Sequence, residues 1–263
     1  MKSIQVKCPA KINIDLKVLD KREDGFHNIE SIMQTINLFD YLTIEVKPAQ
    51  QTEIVLSGNS DEIPYNEANL VYKAAKLFLD KINSLCTVNI YIDKHIPVCA
   101  GLAGGSSDAA GTLYGLNELF NSPLTIDELH LLCAKLGSDL NVCLQGGRIL
   151  AKGRGEILKT LPYEEFNLSV IKPDNVGISA KEAYTKFSAK DLNDKSRKNF
   201  SNDLEWAVIN DYPQLQKIKT KYPNALMTGS GSAYYIVNTE IKPIEGYTVL
   251  NNLITIPYGV KKY

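Results

Sequence analysis

Between the alternating run Val88, Ile90, Ile92 and the helical face Ala109, Ala110, Leu113, Leu116, Phe120 lies Pro97-Val98-Cys99-Ala100-Gly101-Leu102-Ala103-Gly104-Gly105-Ser106-Ser107. A strand, a glycine loop and a helix therefore follow one another directly. Such a junction suits an anion: glycines let backbone N–H groups turn toward it, and the helix N-terminus adds unpaired donors and the positive end of its dipole. Ser106 and Ser107 add hydroxyl groups. Either serine could merely N-cap the helix, but the length of the run and its position favour a bound ligand. No G-x-x-x-x-G-K-[ST] occurs and no G-x-G-x-x-G follows a strand, so the loop belongs to neither the P-loop nor the Rossmann class.

The rest of the chain alternates between β and α signals. From Ile4 to Val18 apolar and polar residues take turns, as in a half-buried strand, and Lys11 and Asn13 project from one face about 7 Å apart, close enough to serve one ligand. Further strands are expected at Leu42–Val46, Thr52–Leu56, Leu168–Ile171 and Ala233–Val237. Helical spacing covers Asn69–Leu79, Leu204–Ile209 and Leu215–Lys219. Thr125-Ile126-Asp127-Glu128 has capping-box spacing, and the helix it starts ends at Gly137, delivering the chain to Asp139. Residues 190–202 read as an exposed polar loop, and Met227–Ser232 as a second small-residue loop. We divide the chain into a first lobe, residues 1–155, and a second, 156–263.

Composition mainly excludes. With 44% apolar and 22% charged residues and a net charge of −1, the chain can build a large core but shows no electrostatic footprint for nucleic acid or an anionic membrane. No apolar run approaches the length of a bilayer span. The five cysteines are odd in number and never form C-x-x-C, which suits buried thiols in a cytoplasmic protein. Monomer and homodimer both remain open.

The glycine loop resembles the ATP motif of the GHMP kinases, P-x-x-x-G-L-G-S/G-S-S-x-A/D-A. Cys8-Pro9-Ala10-Lys11-Ile12-Asn13, Asp24-Gly25-Phe26-His27, Asn69-Leu70-Val71, Ile92-Asp93-Lys94 and Gly137-Ser138-Asp139 are similar to motifs of one branch, the 4-diphosphocytidyl-2-C-methyl-D-erythritol kinases. The resemblance spans nearly the whole chain. It implies an α+β, two-lobed fold, with a ribosomal protein S5 domain 2-like first lobe, a ferredoxin-like second lobe and a cleft between them. It also implies phosphorylation of a small-molecule alcohol by ATP with Mg²⁺, in which Asp139 accepts the hydroxyl proton and Lys11 positions Asp139 and offsets charge. Pro97 to Ser107 would hold the phosphates, Asn69 and Lys94 the adenine side, and Asn13, Phe26 and His27 the second substrate, with Phe26 stacked on its base. Another GHMP small-molecule kinase, acting on mevalonate, homoserine or a sugar, and a silent nucleotide-binding module are the alternative readings. Five departures from the branch stand out: Cys99 and Ala103 replace glycines, Asn141 a proline, Ala180 a threonine and Phe26 the more frequent tyrosine.

Overall fold

The structure, a computed structural model, describes residues 2–190 and 194–263. In chain order the elements are β1 (Lys2–Asn13), β2 (Lys17–Lys21), β3 (His27–Pro48), β4 (Glu53–Gly58), α1 (Leu70–Ile82), β5 (Cys86–Asp93), α2 (Gly104–Leu119), α3 (Ile126–Leu136), α4 (Leu140–Gln145), β6 (Arg148–Gly153) and β7 (Ile157–Thr160). There follow β8 (Asn167–Pro173), α5 (Ala180–Ser188), α6 (Asp203–Val208), α7 (Pro213–Lys221), β9 (Leu226–Met227), β10 (Tyr234–Val237), β11 (Tyr247–Ile254) and β12 (Lys261–Lys262).

The first sheet is organised on β3, which pairs with β1, β2, β5 and β6, while β4 lies parallel to β5 after the α1 crossover. Along β1, Ile4, Val6 and Cys8 alternate inward, and from Pro9 every residue to Asn13 is buried. The change follows from topology: past a register shift at Pro9 to Lys11 the strand is covered on both faces, by helices on one and by the second lobe on the other. Lys11 and Asn13 are therefore internal polar groups, each 2% exposed, instead of a solvated strand face. The expected continuation to Val18 does not occur. Asp15 breaks the strand by accepting a hydrogen bond from Ile32 N (2.6 Å), and β2 begins at Lys17.

Helices α1, α2 and α3 cover this sheet around Phe78, Leu113, Leu116 and Leu132, each such burial worth about 2–3 kcal/mol. The second sheet has order β11-β8-β10-β9, all antiparallel, with α5, α6 and α7 packed through Phe187, Trp206 and Leu215. Numbered along the lobe this is 4-1-3-2, the ferredoxin-like order; among the described residues β10 and β11 are joined without a helix. A third apolar cluster, including Ile12, Leu102, Val170 and Tyr235, joins the lobes.

The division at residue 155 remains a proposal about sequence; in space β7 and β12 both belong to the first sheet. Of the expected polar loop, 191–193 fall outside the described residues, and 195–199 form a 3₁₀ turn. Asn202 departs from the expectation of exposure: it is buried, N-caps α6 and donates to Met227 O and Gly229 O.

Candidate active site

The lobes enclose an open cavity of about 1080 Å³. One wall is the glycine loop, whose residues from Pro97 to Ser106 all reach the cavity. Cys99 and Ala103 adopt left-handed backbone, at φ +52° and +60°, so the loop keeps the shape that glycine ordinarily provides and carries the strain of two β-carbons. Ala103 is the N-cap of α2 and offers no side-chain cap. The first helical bond runs from Ser107 N to Ala103 O, so the amides of Gly104, Gly105 and Ser106 have no partner within the helix, and all three residues line the cavity. The serines then part. Ser106 lines the cavity, whereas Ser107 is fully buried and donates to Pro9 O at 2.7 Å, which corrects the expectation that both hydroxyls serve a ligand.

From the opposite lobe, the loop after β9 backs the glycine loop. Gly229 and Gly101 meet backbone to backbone at φ +54° and +73°: a β-carbon on Gly101 would lie 2.1 Å from Thr228 O, and one on Gly229 2.7 Å from Gly101 O. Thr228 Oγ1 donates to Gly101 O (3.2 Å), and Ala233 N to Ala100 O (3.2 Å).

Lys11 is fixed within this junction. Its Nζ donates to Asn13 Oδ1 (2.7 Å) and Gly101 O (3.0 Å) and faces Asp139 Oδ2 at 3.5 Å. Asp139 precedes α4 and its own carboxylate makes no cap bond, so a group one-third exposed points into the cavity beside a buried ammonium. Asn13 is fully engaged: Oδ1 also accepts from Gly229 N (2.8 Å), and Nδ2 donates to Ser31 Oγ (2.8 Å).

At the far end, Phe26 is 52% exposed and the Arg154 guanidinium lies 4.9 Å over its ring. His27 stacks on Tyr184, with centroids 5.3 Å apart and planes 16° from parallel, and its Nε2 sits 3.1 Å from Ser188 Oγ. Burial, with Lys21 nearby, lowers the His27 pKa and favours the neutral ring.

The chain as a whole is similar to known proteins. The chain is 40% identical over 259 residues to a 4-diphosphocytidyl-2-C-methyl-D-erythritol kinase of Syntrophomonas wolfei, covering 88% of this chain and 87% of that one. It belongs to that kinase family. The GHMP kinases N terminal domain model matches residues 69–147. A crystal structure of a 4-(cytidine 5'-diphospho)-2C-methyl-D-erythritol kinase superposes with a TM-score of 0.70 at 29% identity, covering 88% of this chain and 89% of that one. Homoserine kinase from Cytophaga hutchinsonii shares the fold, with a TM-score of 0.75 at 15% identity over 100% of this chain and 98% of the other. Among the described residues no helix is long and apolar enough to cross a membrane.

For a member of this kinase family, the residues singled out in the sequence fall into two sets. Lys11, Asn13, Asp139, Phe26, His27 and the loop from Pro97 to Ser106 line one cavity. Asn69 and Lys94 border it too, but both have internal partners. Asn69 N-caps α1, accepting from Val71 N (2.9 Å), and donates to Pro64 O (2.6 Å). The Lys94 side chain, 5% exposed, is clasped by Asp40 and by Asp108 Oδ2 (2.9 Å). Asp40 Oδ1 in turn accepts from His95 N (2.6 Å) and Ile96 N (2.8 Å). This buried triad ties the chain entering the glycine loop to the helix leaving it.

Burial opposes charge on Lys94, but Asp108 and Asp40 outweigh it and hold its pKa above the ordinary lysine value. Asp108, buried and close to Asp40, is pushed up to about 8. Sequence reasoning gave no role to Asp40, Asp108, Thr228 or Arg154. Asp108 and Thr228 lie in the two loop motifs it singled out, and Arg154 is flanked by Gly153 and Gly155 in a turn; Asp40 carried no signal.

Proposed function

We propose that the cavity transfers the γ-phosphoryl group of ATP to the 2-hydroxyl of 4-diphosphocytidyl-2-C-methyl-D-erythritol, a step toward isoprenoid precursors by the non-mevalonate route. The observation that carries this reading is the Lys11 to Asp139 pair at 3.5 Å, standing where the glycine loop meets the second lobe. The substrate oxygen attacks the γ-phosphorus, the bond to the bridging oxygen of ADP breaks, and the hydroxyl proton passes to Asp139. Phosphoryl transfer needs alignment and charge stabilisation more than covalent help, and both are available from this arrangement. The amides of Gly104, Gly105 and Ser106 receive phosphate oxygens. Lys11, desolvated and held by Asn13 and Gly101, keeps Asp139 oriented and offsets negative charge as the transition state forms.

Among the described residues no group of three or more His, Cys, Asp or Glu side chains forms a metal cage. The donor set, with the Ser106 hydroxyl at the cradle, fits Mg²⁺ carried in by the nucleotide's own oxygens; when bound, the ion neutralises the β- and γ-phosphates. Phe26 offers an exposed ring for the cytosine, and neutral His27 its Nδ1 to the base edge.

A coupled assay following ADP tests the reading. Turnover should appear with the cytidyl substrate and be absent with mevalonate and homoserine. Turnover of either of those alcohols, with none of the cytidyl compound, would overturn it.

A further inference from the structure

The Arg154 guanidinium lies over one face of the half-exposed Phe26 ring, 4.9 Å from its centroid, and among the described residues no carboxylate lies within ion-pair distance of it. The other cations of the cavity differ. Lys11 and Lys94 are bound to internal partners, Lys21 ends β2 beside His27, and Lys181 lies on the first turn of α5. Arg154 sits in the β6–β7 turn, held by Gly155 N donating to Lys152 O (3.0 Å) and by its own N–H donating to Glu156 Oε2 (2.6 Å). Its neighbour Gly155 packs so closely on Ser138 that a β-carbon there would lie 3.1 Å from Ser138 O. The turn therefore lies against Ser138, the residue before Asp139, at Gly155, while the Arg154 side chain lies over Phe26 and, like Ser138 and Phe26, lines the cavity.

Resting on the proposed function, this position has a chemical consequence. The substrate joins a base to an alcohol through a diphosphate. If the base stacks at Phe26 and the hydroxyl lies at Asp139, the diphosphate runs between them, past Arg154. A guanidinium can donate two parallel hydrogen bonds to such an anion while its face stays on an aromatic ring. We infer that Arg154 is the residue that recognises the diphosphate of the nucleotide-linked substrate, and so makes the site select a nucleoside diphosphate over a bare nucleoside or an unactivated polyol.

The test compares binding of CDP and cytidine by calorimetry, with the ATP site filled by a non-hydrolysable ATP analogue and Mg²⁺. Wild-type protein should prefer CDP by at least about tenfold, as expected for charge-assisted bonds. Arg154→Met should bring that ratio close to one and leave cytidine affinity nearly unchanged, while Arg154→Lys, keeping charge but not the planar fork, should retain part of it. In steady state Arg154→Met should raise KM for the cytidyl substrate without changing KM for ATP. An unchanged CDP to cytidine ratio in Arg154→Met overturns the inference, as does a loss of cytidine binding equal to that of CDP. If wild-type protein binds neither cytidine nor CDP, the proposed substrate falls and the inference with it.

Discussion

Asp139 and Asp108 are both aspartates near the phosphate loop, and their surroundings give them opposite tasks. Asp139 is partly open to the cavity and faces the Lys11 ammonium at 3.5 Å. On the proposed function, Asp139→Asn keeps the shape and removes the proton acceptor, so kcat should fall about 10²–10⁴-fold with KM for ATP nearly unchanged; near-normal turnover in a coupled assay would refute the role. Asp108 is buried against Asp40 and is pushed up from 3.8 to about 8. Because its folded pKa lies above its unfolded one, the native state holds an extra proton between roughly pH 4 and 8, and the stability linked to that proton is lost as pH rises through this window. In Asp108→Asn this contribution to the slope disappears. Denaturant midpoints at pH 5.5 and 7.5 should therefore fall less with rising pH in the variant than in wild type; equal slopes would show that Asp108 does not titrate there. Lys11 and Asp139 were legible in the sequence because short motifs flank them. Asp40 was not, since nothing local marks an aspartate in mid-strand as the partner of a lysine 54 residues on.

At the scale of elements, the glycine loop, the helix behind it and the capping box at Thr125 to Glu128 could be read directly, because each depends on neighbours in the chain. Strands were harder. Only the Leu42–Val46 portion of the 22-residue β3 was expected, since its burial pattern changes as its partners change from β6 to β1 and β5. Strand β11 was missed altogether: a register shift between Leu250 and Leu253, with Asn252 at φ +58°, breaks the alternation that would reveal it. The glycine loop offers its own test. Each left-handed non-glycine residue costs about 1–2 kcal/mol, and glycine returns about 0.5–1 kcal/mol of that through unfolded-chain entropy. Cys99→Gly combined with Ala103→Gly should raise the melting temperature by a few degrees while nucleotide affinity is kept; an unchanged or lower midpoint would show that the loop carries no such strain.

For the whole molecule, the two-lobed architecture was expected from the family resemblance, and the ferredoxin-like order of the second sheet agrees with it. The seam between the lobes was not foreseeable, because Gly101 and Gly229 belong to separate small-residue loops whose mutual approach no periodicity encodes. Gly229→Ala would bring a β-carbon within 3.1 Å of Lys11 Nζ as well as onto the Gly101 carbonyl. It should destabilise the protein by about 2 kcal/mol or more and weaken ATP binding together with it, read by chemical denaturation and calorimetry; a variant of normal stability would mean that the seam relaxes freely.

The same seam sets an order on synthesis. The glycine loop is built from residues near 100, but its carbonyls are held by Thr228 and Ala233. A nascent chain that has emerged only as far as α7 holds the glycines, Lys11 and Asp139, yet lacks the loop that fixes them. Long-range contacts of this kind form late, since the intervening chain must first be closed. On the proposed function, competence to bind nucleotide therefore arrives only with the segment that follows α7, and ATP binding marks the finished fold.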